Sequence, residues 1–231
     1  MKLFKNIKKW LENQEHLFYL FLFILIVPNI VLCFTEPLSF IAKVCNVLLP
    51  FGCYYLLMTL SRNCGKMLWI LFLFLFFGAF QIVLLYLFGQ SIIAVDMFLN
   101  LATTNVTEAS ELLNNLWPAI ILVCVIYIPT IVIAAIGCKK RVHLTPVFRK
   151  KMACTGLIIG LVSYGLTFTA TNRNTGSYKL QYDVFPVNIY YNLRFAVKKW
   201  QRSMIYPLTS KDFTFQAHKS VKSADREIYV L

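Results

Sequence analysis

The chain has 231 residues, 58% of them hydrophobic, with a mean hydropathy of +0.65 and a formal charge of +13. That apolarity is far above the share a water-soluble domain can hide in its core, and it excludes one. The basic residues cluster beside apolar runs, where they meet anionic lipid headgroups, so a soluble face that reads nucleic acid is excluded as well.

A bilayer core of ~30 Å and a rise of ~1.5 Å per residue require about 20 apolar residues for each helical crossing. Five segments meet this requirement, over 17–34, 38–60, 67–88, 117–137 and 152–170, and they predict an all-α membrane domain over residues 1–170. The first run is too long for a secretory signal, and no small-residue cleavage site follows it. Lys43 and Asn46 interrupt the start of the second, which predicts a later beginning. In the third, Gln81 reads as an interhelical hydrogen-bonding group.

Basic residues orient the chain. Lys2, Lys5, Lys8 and Lys9 precede the first span, Arg62 and Lys66 follow the second, and Lys139, Lys140, Arg141, Arg149, Lys150 and Lys151 separate the fourth from the fifth. The loop over 89–116 has Asp96, Glu108 and Glu111 and neither Lys nor Arg. The pattern predicts an inside N-terminus and an outside C-terminus.

That loop is long and patterned. Ile92, Val95, Leu99, Ala102, Val106, Ala109 and Leu113 recur at steps of three and four, and Asp96, Asn100, Thr104 and Glu108 recur every four, so a helix here has one apolar and one polar face. Asn105 and Glu108 also fit a helix N-cap with a capping-box glutamate, a purely structural role. The Asn105-Val106-Thr107 triplet matches a glycosylation acceptor, a pattern short enough to arise by chance.

Residues 171–226 read as a linker. Within it Pro186 opens a helix over about 187–204, with Ile189, Tyr190, Leu193, Val197 and Trp200 at helical spacing and Arg194, Lys198, Lys199 and Arg202 elsewhere. Such a helix lies on the outer leaflet or packs on a soluble domain. Residues 207–226 read as extended, and 227–231 as the first strand of a further domain, because a strand without a partner is unstable in water. Seven cysteines without a CxxC pair, and three histidines on three separate segments, supply no metal-ligand set, and no catalytic motif is present.

The string Ala102-Thr103-Thr104-Asn105-Val106-Thr107-Glu108-Ala109-Ser110-Glu111, the five spans and the terminal Arg226-Glu227-Ile228-Tyr229-Val230-Leu231 together resemble the membrane half of bacterial phosphoethanolamine transferases. Val106 departs from the proline common at that position in the family. The resemblance implies an inner-membrane protein with periplasmic amphipathic helices, a linker, and a periplasmic zinc-dependent α/β catalytic domain that lies beyond this chain. It implies transfer of phosphoethanolamine from phosphatidylethanolamine, through a threonine nucleophile, to lipid A or lipopolysaccharide. Under it Asn100, Thr104 and Glu108 line the donor headgroup pocket, while catalytic residues, nucleophile and zinc ligands are absent from the chain, which is then inactive alone. The alternatives are the membrane domain of a related phosphoglycerol transferase, whose donor is anionic and suits an acidic loop poorly, and a non-catalytic scaffold or transporter subunit.

Overall fold

A computed structural model describes residues 13–89, 92–139, 143–173 and 178–210. All regular structure among these residues is helical, in the order α1 (Gln14–Thr35), α2 (Phe40–Leu60), α3 (Cys64–Ile70), α4 (Phe72–Phe88), α5 (Val95–Thr103), α6 (Val106–Lys139), α7 (Pro146–Arg173), α8 (Leu180–Asp183) and α9 (Val187–Ser210). Four helical stretches are long and apolar enough to cross a membrane: α1, α2, Asn114–Lys139 within α6 and Pro146–Thr171 within α7. A fifth candidate is the pair α3 and α4, which bends by 66° at Leu71. The chain thus has the make-up of a multi-pass membrane protein, with the third of the expected spans broken rather than continuous.

The start of the second span also departs from its expectation. Helix α2 starts at Phe40, before Lys43 and Asn46, because Ser39 caps it and Asn46 finds hydrogen-bond partners. In the loop after the third candidate the Asn105 cap starts a second helix. The loop breaks at Thr104 and Asn105, and its second half is the start of α6, which runs without interruption into the fourth span.

The first unit of the chain, Met1–Ala196, is a helical bundle organised on α1. Of the most apolar window of α1, 56% is buried, against 22% for those of α6 and α7, so the first helix is the central one and the later two are flanks. Leu17, Phe18, Phe21, Leu22 and Leu25 meet Tyr54, Met58, Met67, Leu71, Leu75 and Tyr127 in its core. The outer faces of α6 and α7 expose Ile121, Val125, Ile128, Val132, Leu157, Leu161 and Phe168, the composition of a lipid-facing surface.

Lipid tails are as apolar as leucine, so helices in a membrane gain little from burying more of it and associate through close packing. Glycines provide it twice. The pairing of α2 with α7 is the most extensive in the bundle. A methyl group on Gly52 would lie 2.7 Å from the backbone nitrogen of Gly160, and one on Gly156 would lie 2.6 Å from Cβ of Tyr55. Gly65 of α3 sits against the backbone of Ala134, Gly137 and Cys138 on α6 in the same way.

At the end of the bundle where α1 begins, polar groups tie the turns together. Asn63 accepts from the amide of Lys66 at 3.1 Å, capping α3, and donates to the carbonyl of Gly137 at 2.9 Å. Gln14 accepts from the amide of Cys64 at 3.1 Å. Arg149 donates to the carbonyls of Thr59 and Leu60 at 2.8 and 3.0 Å, where a cation suits the last carbonyls of α2. Arg62, Lys66, Lys139, Lys150 and Lys151 belong to the same connections, so this is the basic end; the opposite end carries the loop without Lys or Arg.

Of the second unit, Val197–Leu231, the described residues are the last part of α9, to Ser210. That helix replaces the extended chain expected from 207 to 210; the rest of that expectation, and the strand expected over 227–231, lie outside the described residues.

The glycine contacts give a discriminating series. Gly52→Val and Gly156→Val should each lower stability by about 1–3 kcal/mol through overpacking, whereas Gly160→Ala should behave as wild type, since nothing lies within 4 Å of the added carbon. Thermal unfolding in detergent measures this, and equal losses at all three positions would refute the close-approach account.

Candidate functional site

The loop end is built from short polar side chains that reach across the bundle. Asn29, in the middle of α1, is 1% exposed; its Nδ2 donates to the carbonyl of Asn46 at 2.9 Å and to that of Phe185 at 2.7 Å. Asn46 in turn donates to the carbonyl of Asp183 at 2.7 Å and accepts from the Tyr178 hydroxyl at 2.7 Å. Burial pushes the Tyr178 phenol above its ordinary value, so it remains a donor at any physiological pH. Burial likewise raises the Asp183 carboxyl, against the opposing pull of the Lys179 amide and ammonium. The chain that follows the last span is therefore stitched to α1 and α2.

Apolar contacts complete the attachment. Tyr178 and Val184 pack with Ala42, Cys45 and Ala170, while Phe185 and Ile189 pack with Leu32, Leu84, Leu85 and Ile93. The same contacts draw the first turns of the following helix onto the bundle. Those turns bury Asn188, Ile189, Asn192 and Ala196, a face spaced by three and four, and leave Tyr190 and Leu193 exposed. The buried face joins two asparagines to Ile189, one of the residues of the expected apolar face, and the other apolar positions of that face stay exposed. Asn188 and Asn192 both donate through Nδ2 to the carbonyl of Ile93, at 3.0 and 2.7 Å. The amide of Ile93 donates to Oε1 of Gln81 at 2.9 Å, so Gln81 serves the loop and not only its neighbouring helices.

Ile93 leads into α5 and the three candidate residues. Asn100, Thr104 and Glu108 are all exposed, as the predicted polar stripe requires. Of the expected apolar face Ile92 meets the bundle, together with Ile93, Met97 and Phe98, and Val95 and Leu99 are half-buried. Thr104 and Asn100 are brought together, since the Thr104 amide and hydroxyl both donate to the Asn100 carbonyl, at 2.8 and 2.6 Å. Those bonds close α5 and turn the chain. Glu108 is held on Asn105: its amide donates to Asn105 Oδ1 at 2.8 Å, and its Oε2 accepts from the Asn105 amide at 3.4 Å. The capping box is formed, with its return bond long. Its geometry leaves room for a second role, because a carboxylate has about four acceptor positions and this one faces solvent.

Among the described residues no three of His, Cys, Asp and Glu gather as a metal-holding group. The seven cysteines are free, two of them, Cys45 and Cys64, buried as small apolar side chains. Sequence patterns do not single out Asn29, Asn46, Asn188, Asn192 or Tyr178 as a network. The available signal is Asn29 and Asn46 inside apolar runs, where an uncompensated amide is costly.

No family model, curated protein or solved structure matches the chain.

The Asn46 network sets up a double-mutant cycle. Asn46→Leu strands the buried Tyr178 hydroxyl, and Tyr178→Phe strands Asn46 Oδ1, so each single change should cost roughly 1–3 kcal/mol. With both partners gone neither group is stranded, and the double variant should lose clearly less than the sum of the two. Unfolding of the four proteins in detergent measures the coupling; strict additivity would remove the proposed bond.

Proposed function

We propose that this chain is the membrane domain of a phosphoethanolamine transferase that moves phosphoethanolamine from phosphatidylethanolamine to lipid A or lipopolysaccharide in a bacterial inner membrane. The observation that carries the reading is the exposure of Asn100, Thr104 and Glu108: amide, hydroxyl and carboxylate groups in a loop without Lys or Arg, at the end of the bundle opposite the basic connections. The phosphatidylethanolamine headgroup ends in an ammonium, which a carboxylate with neighbouring hydroxyl and amide acceptors is suited to hold. A phosphoglycerol donor is anionic and would gain nothing from Asp96, Glu108 and Glu111. A scaffold or transporter would account for the caps made by Thr104, Asn105 and Glu108, but gives no reason for a loop of this length to lack Lys and Arg.

In this reading the basic end faces the cytoplasm and the loop end the periplasm, as the distribution of Lys and Arg favours. Residues 178–196, fastened to the loop end, start the connection toward a periplasmic catalytic domain, to which the threonine nucleophile and the zinc are assigned. The membrane domain contributes anchoring and donor contacts. Glu108 acts twice, capping α6 with one oxygen and offering negative charge to the donor ammonium.

Glu108→Gln separates these roles. Glutamine preserves the return bond of the capping box, so stability should change by about 1 kcal/mol or less. Loss of the charge removes a charge-assisted contact of roughly 1.5–3 kcal/mol and should slow transfer about ten- to a hundredfold at limiting donor. The assay is transfer from labelled phosphatidylethanolamine by the protein joined to its catalytic domain. Wild-type transfer at low donor by a normally folded Glu108→Gln would leave the residue as a cap alone.

A further inference from the structure

The peptide group of Ile93 is buried with its residue fully enclosed, and it belongs to neither α4 nor α5. A buried backbone amide and carbonyl need partners, and regular structure supplies none of those seen at this residue. Side-chain amides take that place: Gln81 of α4 accepts from the N–H, and Asn188 and Asn192 of α9 both donate to the C=O. The assignment of the amide ends is forced for the asparagines, because only their NH2 groups can bond a carbonyl. Asn188 Oδ1 is buried without a partner, so the described contact that accounts for keeping this amide in the interior is its bond to Ile93.

We propose that Gln81, Asn188 and Asn192 are positioning residues that clamp Ile93 and thereby fix where the Asn100–Glu108 segment stands on the bundle, tying it to the chain that follows the last span. The clamp is short of α5 by a single residue, Ala94, the N-cap of that helix. Ile92, Met97 and Phe98 press the same stretch onto Leu84 and Leu85, and Phe185 and Ile189 press the start of α9 onto the same cluster. Any shift of residues 185–192 therefore bears directly on the root of the loop. The link from this clamp to donor binding rests on the phosphoethanolamine transferase reading; the clamp itself does not.

The two donors on one carbonyl give the clamp a signature that loose packing lacks. In Asn188→Leu or Asn192→Leu the Ile93 carbonyl keeps one bond, whereas in the double variant it keeps neither described donor. Hydrogen exchange of the 92–103 peptides, followed by mass spectrometry on the chain in lipid nanodiscs, should rise less than about threefold in either single variant and about tenfold or more in the double. Gln81→Leu, which removes the only described acceptor of the Ile93 amide, should match the double. Exchange within α1 should stay at the wild-type rate throughout, which separates the clamp from general unfolding. Unchanged exchange at 92–103 in the double variant and in Gln81→Leu would overturn the clamp, as would a rise shared with α1.

The same variants, joined to the catalytic domain, test the consequence. The double variant should raise KM for labelled phosphatidylethanolamine about tenfold with kcat changed less than threefold, since it misplaces a binding segment and leaves the reacting groups alone. An active wild type whose double variant keeps its KM would overturn the positioning role and spare the transferase. A wild type that transfers no phosphoethanolamine would overturn the transferase and the donor role together, while the exchange result would still decide the clamp.

Discussion

Backbone polar groups buried at the end of a membrane bundle have no water to turn to, and in this protein side-chain amides take the place of water. The requirement is strict: an unpaired peptide group in such surroundings costs roughly 1–3 kcal/mol, and more where hydrocarbon surrounds it. Asn29, Asn46, Gln81, Asn188 and Asn192 between them serve the carbonyls of Asn46, Phe185, Asp183 and Ile93 and the amide of Ile93. Remove those amides and the chain beyond α7 has no polar reason to lie against α1 and α4. The apolar cluster of Leu32, Leu84, Ile93, Phe185 and Ile189 adds adhesion, but a greasy contact does not select register; a hydrogen bond to one named carbonyl does.

The two ends of the bundle solve the same problem with different chemistry. At the basic end Arg149 and Asn63 satisfy helix termini and leave cations on the surface, in keeping with contact to anionic headgroups. At the loop end neutral amides do the joining, and within the 89–116 loop the exposed polar residues that the structure describes are acidic or uncharged. Between the ends, glycines bring α2 against α7 and α3 against α6 closely enough for packing to hold helices that lipid would otherwise solvate equally well. The result is a packed bundle whose 89–116 loop, without Lys or Arg, carries Asn100, Thr104 and Glu108 on its surface.

Much of this is legible in the sequence where the cause is local. Spans show as apolar runs because the bilayer sets their length, and the Asn105–Glu108 cap shows because its partners are three residues apart. Features whose partners are distant do not show. Asn46 reads as a reason to start α2 later, because Tyr178 and Asp183, which satisfy it, lie more than 130 residues away. The asparagine face of the first turns of α9 does not show for the same reason: Asn188 and Asn192 count as polar in any hydrophobic pattern until the carbonyl of Ile93 is placed beneath them. The bend at Leu71 carries neither Pro nor Gly at that residue to announce it.

Residues 180–196 pack on the bundle through buried amides, and hydrogen exchange of the unmodified chain in lipid nanodiscs measures how firmly. The account predicts that the amides of Asn188, Ile189 and Asn192 are protected to within about tenfold of those in the core of α1, because they open only when the buried amide network opens. Exchange at those three amides at the rate of an isolated surface helix, with α1 still protected, would contradict it.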